Sequence, residues 1–362
     1  MIVARSAWND AWRRQKSAAF DLSANSTARR VVKFELWGRP VSVYANANLS
    51  IYSAQPCNAA CPFCVEELRP ASRGVELLNQ KRREPDDQRY FARLQEVLEA
   101  LRPLQPTVSI TGGEPSIDPR LPGILRTIAH RTDRKRTLTT NGSGLFDERE
   151  GLRVIDWIAA AHIEHLNISI AHPQTEQNGR LMRLAQPLTT AQLREAVRLA
   201  GLAGVRVRLS CVLLRSGISS LSDILGYLEF AESVGVDNVI FRQLMKTNPR
   251  THLANSVVRY GDRQRISLEP LLDEISRTDS FVPVRQIMGY YYYVEVWRYR
   301  GMDVVFEEAD LAQLEAAKHR DPQTIHELVF HPNGALASTW QPWDGILGPE
   351  AETSAIRSQL AE

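Results

Sequence analysis

Cysteine is scarce in this chain, with four in 362 residues. That count excludes a fold stapled by disulfides, which small secreted domains build from many closely spaced cysteines. An excess of one charge is missing too. Lys and Arg total 44 against 42 Asp and Glu, a net charge of +2, which is too slight to mark nucleic acid or an anionic membrane as a partner. No apolar run approaches the ~20 residues of a membrane-spanning helix. The first residues carry Arg13, Arg14 and Lys16 without the apolar stretch of a secretory signal, and Asp10 and Asp21 speak against a transit peptide. A cytoplasmic location is the resulting expectation. No internal repeat or low-complexity tract stands out. With 43% hydrophobic and 24% charged residues, the chain can bury one large core with a cap, or two ordinary domains.

Strand and helix patterns alternate along most of the length. Residues 31–44 hold two short alternating runs around Gly38-Arg39-Pro40, the pattern of a hairpin. A strand over 48–52 leads straight into the cysteines. Helix 86–101 follows, with Phe91, Leu94, Val97, Leu98 and Leu101 at helical spacing and Pro85 at its first turn. Further strands are predicted over 107–111, 137–140, 166–170, 205–214 and 238–244, with helices over 121–130, 148–161, 191–202 and 220–234 between them. Strands separated by helices in this way pair in parallel through right-handed crossovers. The count fits a partial barrel or a doubly wound sheet, and both place chemistry at the C-terminal strand ends. After residue 250 the pattern changes to a helix over 268–277 and an aromatic run over 290–293 with Trp297 and Tyr299. Hairpins are predicted at Arg300-Gly301 and at Pro332-Asn333-Gly334-Ala335. The expected organisation is an N-terminal extension with a hairpin over 1–46, an α/β core over 47–250, and a mixed α+β extension over 251–362 covering one end of the sheet.

The chemistry sits in Cys57-Asn-Ala-Ala-Cys61-Pro-Phe-Cys64. Clustered thiols in an otherwise cysteine-poor chain read as metal chemistry in a reducing compartment. Three thiolates alone cannot complete a four-ligand zinc or ordinary iron–sulfur site. Either Cys211 supplies a fourth sulfur, or a cluster keeps one iron open to an outside ligand. Cys211 falls inside a predicted strand, where a small buried residue is the ordinary reading.

The Cys-x3-Cys-x2-Cys spacing, with Phe63 just before the last cysteine, resembles the signature of the radical S-adenosylmethionine (SAM) enzymes. That resemblance implies a [4Fe–4S] cluster on Cys57, Cys61 and Cys64, whose fourth iron chelates the amino and carboxylate groups of SAM. Thr111-Gly112-Gly113-Glu114-Pro115 resembles the family's GGEP motif. The implied roles are a side-chain-free backbone at Gly112 and Gly113 that lets the methionine moiety approach, and Glu114 as acceptor for its ammonium group. Thr140, Asn141 and Ser169, on the third and fourth strands, resemble positions of the molybdopterin-cyclase and viperin-like branch that hold the ribose or the methionine carboxylate. Phe63 is expected to pack beside the cluster and to contact adenine. All of these lie on one face, which favours a partial (β/α)6 TIM-like barrel over a doubly wound sheet.

The implied reaction is reductive cleavage of SAM to a 5′-deoxyadenosyl radical, fed by an external one-electron donor of flavodoxin or ferredoxin type. The radical abstracts hydrogen from a small polar metabolite of nucleoside, nucleotide or sugar type. Elimination, epimerisation, dehydrogenation, decarboxylation and rearrangement are all compatible outcomes. His172, Arg242 and Gln243 are the candidates for substrate contact, Arg242 as a clamp for a carboxylate or phosphate. No cysteine follows Cys211, so an auxiliary cluster is not expected, and the segment before Cys57 is shorter than a cobalamin-binding or peptide-leader domain. Two rivals are a peptide-modifying radical enzyme served by a separate partner protein, and a non-catalytic iron–sulfur or zinc-binding interaction protein.

Overall fold

The computed structural model describes residues 31–65, 83–129, 135–247, 256–289 and 291–349. The expectations placed on residues 1–30 and on Tyr290 lie outside them. Strands β1 (Val31–Leu36) and β2 (Arg39–Tyr44) form the predicted hairpin. Its turn falls on Trp37 and Gly38, both with positive φ (48° and 76°), the geometry that matches strand twist in a two-residue hairpin loop. This hairpin stands apart from the main sheet.

The core repeats strand and helix as the pattern predicts. Strand β3 (Asn48–Tyr52) precedes helix α1 (Asp87–Ala100), which buries Tyr90, Leu94, Val97 and Leu98. Asp86 caps that helix by accepting from the Gln88 and Arg89 amides. Pro85 therefore lies ahead of the cap and not in the first turn. Next come β4 (Thr107–Thr111), α2 (Leu121–Ala129) and β5 (Lys135–Thr140). The helix expected over 148–161 is split. Strands β6 (Glu148–Arg149) and β7 (Leu152–Arg153) form a tiny hairpin before α3 (Val154–Ala160). Glu150 and Gly151 both adopt positive φ there (48° and 79°), so the X-Gly turn overrides the helical periodicity.

Strand β8 (His165–Ser169) leads into α4 (Thr175–Met182), a short helix inside the expected polar loop. Then follow α5 (Thr190–Leu202), β9 (Arg206–Leu213), α6 (Leu221–Ser233) and β10 (Asn238–Gln243). Capping boxes at Thr189 and Ser220 begin α5 and α6, each worth about 1 kcal/mol. The six core strands pair in parallel in chain order, β3-β4-β5-β8-β9-β10. A doubly wound sheet would reverse its order at a switch point; this one turns only one way, as a barrel wall does.

The C-terminal extension goes beyond one expectation. Besides the covering role expected of it, it joins both edges of the sheet. After α7 (Ser256–Gln264) and α8 (Leu268–Arg277) come three antiparallel neighbours, β11 (Phe281–Met288), β12 (Tyr292–Tyr299) and β13 (Met302–Ala309). Strand β13 pairs in parallel with β10. Helix α9 (Leu311–Arg320) and β14 (Thr324–Ile325) then cross to the other edge, where β15 (Leu328–Phe330) pairs in parallel with β3. Strands β16 (Leu336–Ala337) and β17 (Ile346–Leu347) complete that edge. The unpaired backbone of an open sheet is a ready template for further strands, and the extension uses both templates. β13 and β15 do not pair with each other, so the barrel stays unclosed at that seam.

Alternation sorts the side chains. Leu49, Ile51, Val108, Ile110, Leu138, Leu166, Ile168, Leu209, Cys211 and Phe241 are fully buried towards the helices, and the intervening residues face the lumen. No helix among the described residues is long and apolar enough to cross a membrane.

Candidate active site

The cysteine loop leaves β3 and is braced by three neighbouring segments. Ser53 Oγ and the Ala54 amide donate to Asp118 Oδ2 at 2.7 and 3.0 Å. The Ser53 amide donates to Thr111 O, and the Glu114 amide to Gln55 O at 3.1 Å. On the far side, the Ala60 amide reaches Arg183 O at 3.3 Å, and the Cys61 thiol donates to Met182 O at 3.3 Å. Asn58 bridges to the β5 end, donating to Ser143 Oγ and accepting from Asn141 Nδ2 at 2.9 and 2.8 Å. Cys57, Cys61 and Cys64 are all half-buried on this loop. Burial pushes the Cys61 thiol up to about 12, and the charge of Cys57 adds to the shift; metal ligation removes such a proton.

The donor set suits a cluster better than a single ion. Among the described residues, no three His, Cys, Asp or Glu side chains converge on one metal position, as a structural zinc site demands. Thiolates that do not converge on a point suit the separate irons of an iron–sulfur cluster. Cys211 is no fourth ligand. It is fully buried on the helix side of β9, its thiol donating to Ala171 O at 3.6 Å, and desolvation holds its pKa far above the ordinary thiol range.

The GGEP segment is built into the rim of the barrel. Glu114 is only 2% exposed. Its Oε1 accepts from the Ser116 amide (2.9 Å), Ser116 Oγ (2.7 Å) and Thr140 Oγ1, while Oε2 accepts from the Asn141 amide (2.7 Å). Burial raises its pKa, and those four donors work against the shift. The carboxylate thus braces the ends of β4 and β5 together. Gly112 has a structural reason of its own. Its φ is +78°, and a Cβ there would lie 2.6 Å from the Tyr52 ring, so the absent side chain makes room for Tyr52. Gly113 also has positive φ, 45°. With no side chains at these two positions, the turn presents its backbone.

Thr140 is buried, donating to Glu114 and accepting from the Gly142 amide at 2.8 Å. The Asn141 side chain reaches Asn58 and, at 3.8 Å, Cys57 Sγ. Asn141 thus ties the end of β5 to the cysteine loop, and Thr140 ties it to Glu114. Ser169 differs: it is half-buried, faces the lumen at the end of β8, and its hydroxyl has no protein partner among the described residues. Phe63 packs with Tyr260, ring centroids 6.3 Å apart, against Met182, Leu184, Leu214 and Leu244. It also lines a small cavity of about 100 Å³ that reaches Arg242.

The three substrate candidates separate. Arg242 faces the lumen, paired with Glu307 at 3.0 Å and donating to Ser210 Oγ at 3.0 Å. Gln243 points the opposite way, as the next residue on a strand must; its Oε1 accepts the Leu268 amide at the start of α8. It anchors the extension and does not reach the barrel mouth. The His172 ring accepts the Gln174 amide at 3.1 Å through Nδ1, and burial lowers its pKa.

Sequence reasoning missed a cavity of about 470 Å³ that lies along the unclosed seam. Asn48, Ser50, Thr107, Arg242, Tyr292 and Glu307 are among the residues that line it. Glu307 and Tyr292 come from the extension, and no local motif ties them to β10. The one available signal was polar alternation, as in Asn48-Leu-Ser-Ile-Tyr52, which marks a polar inner face.

A thiol loop and a Gly-Gly turn, braced together over the carboxyl ends of a parallel partial barrel, define the class: a barrel protein built to hold a thiolate-bound cluster beside a small cofactor. The family model described as the Radical SAM superfamily matches residues 51–230, and that segment is a radical SAM domain. SuiB of Streptococcus suis, solved bound to the precursor peptide SuiA, shares the fold at a TM-score of 0.50 and 14% identity, over 82% of this chain and 60% of that one. The chain thus spans about three fifths of the SuiB length it matches. The methyltransferase TsrM of Kitasatospora setae aligns at a TM-score of 0.36 and 15% identity, over 56% of this chain and 37% of its own, too partial a likeness to argue from. No curated protein matches the sequence.

Proposed function

We propose that this protein is a radical SAM enzyme acting on a small polar metabolite held in the barrel lumen. Cys57, Cys61 and Cys64 would hold a [4Fe–4S] cluster, with SAM beside it on the Gly112–Gly113 backbone and Ser169 as a hydroxyl contact. Bound there, the pair supplies a 5′-deoxyadenosyl radical when an external flavodoxin- or ferredoxin-type donor provides an electron. The chain's own residues do the rest. Glu114, Asp118 and Asn141 keep the loop in place, Phe63 and its apolar neighbours exclude water beside it, and Arg242 with Glu307 borders the space a substrate would fill. The observation that carries this reading is the braced thiol loop set over a polar lumen. The size of the seam cavity, about 470 Å³, is that of a metabolite site.

The test is anaerobic reconstitution with iron and sulfide, then reduction in the presence of SAM. Formation of 5′-deoxyadenosine supports the reading. Its absence from protein holding a full cluster would leave a non-catalytic iron–sulfur protein. The peptide-modifying reading draws on the likeness to SuiB; binding to peptides, with no effect of nucleotides or sugar phosphates on SAM cleavage, would favour it.

A further inference from the structure

The lumen carries more positive charge than it balances. Lys135 on β5, His165 and Asn167 on β8, Arg208 on β9 and Arg242 on β10 share the inner face by strand alternation. The carboxylates on that face are engaged. Glu307 pairs with Arg242 at 3.0 Å, and Asp303 pairs with Arg206 and Arg298 at 2.8 and 3.0 Å. What remains forms no ion pair among the described residues, although Glu307 and Asp303 act on Arg208, and Glu164 on Lys135, from a distance. Arg208 donates through Nε to Asn238 Oδ1, and its two terminal nitrogens meet no acceptor among the described residues. Lys135 forms no ion pair among them either. His165 Nδ1 and Asn167 Oδ1 are buried without partners, and Asn167 is the register partner of Arg208.

These groups disturb one another. Burial and then Arg242 lower Arg208 to about 10. Burial, then Lys135 and Arg208, hold His165 at about 4, so its ring is neutral near pH 7. Burial and Arg208 likewise lower Lys135. Cations facing a shared, partly desolvated space are unfavourable unless an anion enters it. The space is adjacent: Lys135 is the register partner of Thr107, which lines the seam cavity together with Arg242.

We propose that Arg208 and Lys135, with His165 beside them, form an anion subsite at the floor of the lumen that grips a carboxylate or phosphate group of the substrate. The planar guanidinium offers a bidentate fork, and the ammonium adds a point charge. Lys135 begins β5 and Thr140 ends it, about 16 Å apart at ~3.3 Å per residue. The anionic group is thus held at the end away from the cysteines, and the rest of the substrate extends towards Ser169. This deepens the function proposed above, resting on it only where the occupant is called the substrate, and it turns a polar metabolite into an anionic one.

The test uses the full chain with its cluster, without reductant or SAM, so radical chemistry plays no part. Pyrophosphate and malonate are titrated calorimetrically at constant ionic strength against a chloride control. Saturable binding of at least one is expected, and the tighter of the two tells phosphate from carboxylate. Arg208→Gln and Lys135→Gln should each weaken it about tenfold or more. The same variants, freed of repulsion, should melt no lower than wild type without anion, which separates lost binding from lost folding. No saturable binding of either anion, or equal binding in the double variant, overturns the subsite. Protein that forms 5′-deoxyadenosine yet binds neither anion would sink the subsite alone and leave the enzyme reading standing.

Discussion

At the rim of the barrel Glu114 accepts four hydrogen bonds from its own chain; near the floor, Arg208 makes a single one among the described residues, to Asn238. The two regions are walls of one sheet, yet polar groups are saturated in the first and left open in the second. Saturation costs nothing in binding where the task is to hold a loop still. Buried donors and acceptors that find one another fix a geometry, and a cluster loop with three thiolates to present needs that stillness. Open groups are tolerated where something else completes them. The rim therefore acts through backbone and thiolate, and the lumen through side chains.

The sharpest break of this contrast is at the thiols. Replacing Cys57, Cys61 or Cys64 with Ala should abolish iron binding and all SAM cleavage. Cys211→Ala should keep iron near the wild-type content, at a cost of about 1 kcal/mol in stability. Iron analysis and denaturant midpoints read both. Next in size is Glu114→Ala, which strands four buried donors and should destabilise the fold by roughly 3–5 kcal/mol. A variant that unfolds at the wild-type midpoint but loses SAM affinity would show that the carboxylate faces the ligand.

Smaller effects test the open side. Ser169→Ala should leave stability unchanged and weaken SAM binding about three- to tenfold, the worth of one hydrogen bond. A drop in stability instead would place Ser169 among the saturated groups. His165 tests the charge imbalance through pH. Its folded pKa, about 4, lies below the ordinary His value, so the unfolded chain takes up a proton first as pH falls. Stability present above about pH 6.5 is therefore lost on the way down to 4. His165→Gln should reduce that loss by roughly 1 kcal/mol, discounted because the ring is only half-buried. An acid limb unchanged in slope would mean the ring is not held among those cations.

Much of the fold could be read in advance because it is written locally. Apolar spacing in residues 86–101 and 191–202, and alternation in the strands between, reflect which face of each element meets the core, and that is a property of neighbours in sequence. Glu150-Gly151 went unread because a two-residue turn outweighs a helical period only once its backbone is formed. The bracing role of Glu114 went unread for a different reason. Its motif shows a carboxylate beside two glycines, but not that Thr140 and the Asn141 amide, from the next strand, close over it.

The chain by itself determined the alternation of strands and helices and the three thiols, since both depend on residues a few positions apart. It also placed Cys211 inside a strand, and the tertiary structure put it on the helix-facing side, away from the other three. Only the tertiary structure decided which polar residues are braces and which are open, because that depends on what arrives from elsewhere. β13 brings Glu307 to Arg242, and β5, β8 and β9 bring Lys135, His165 and Arg208 together. Hydrogen bonds and charges act over a few ångströms of space, however far apart the residues lie along the chain.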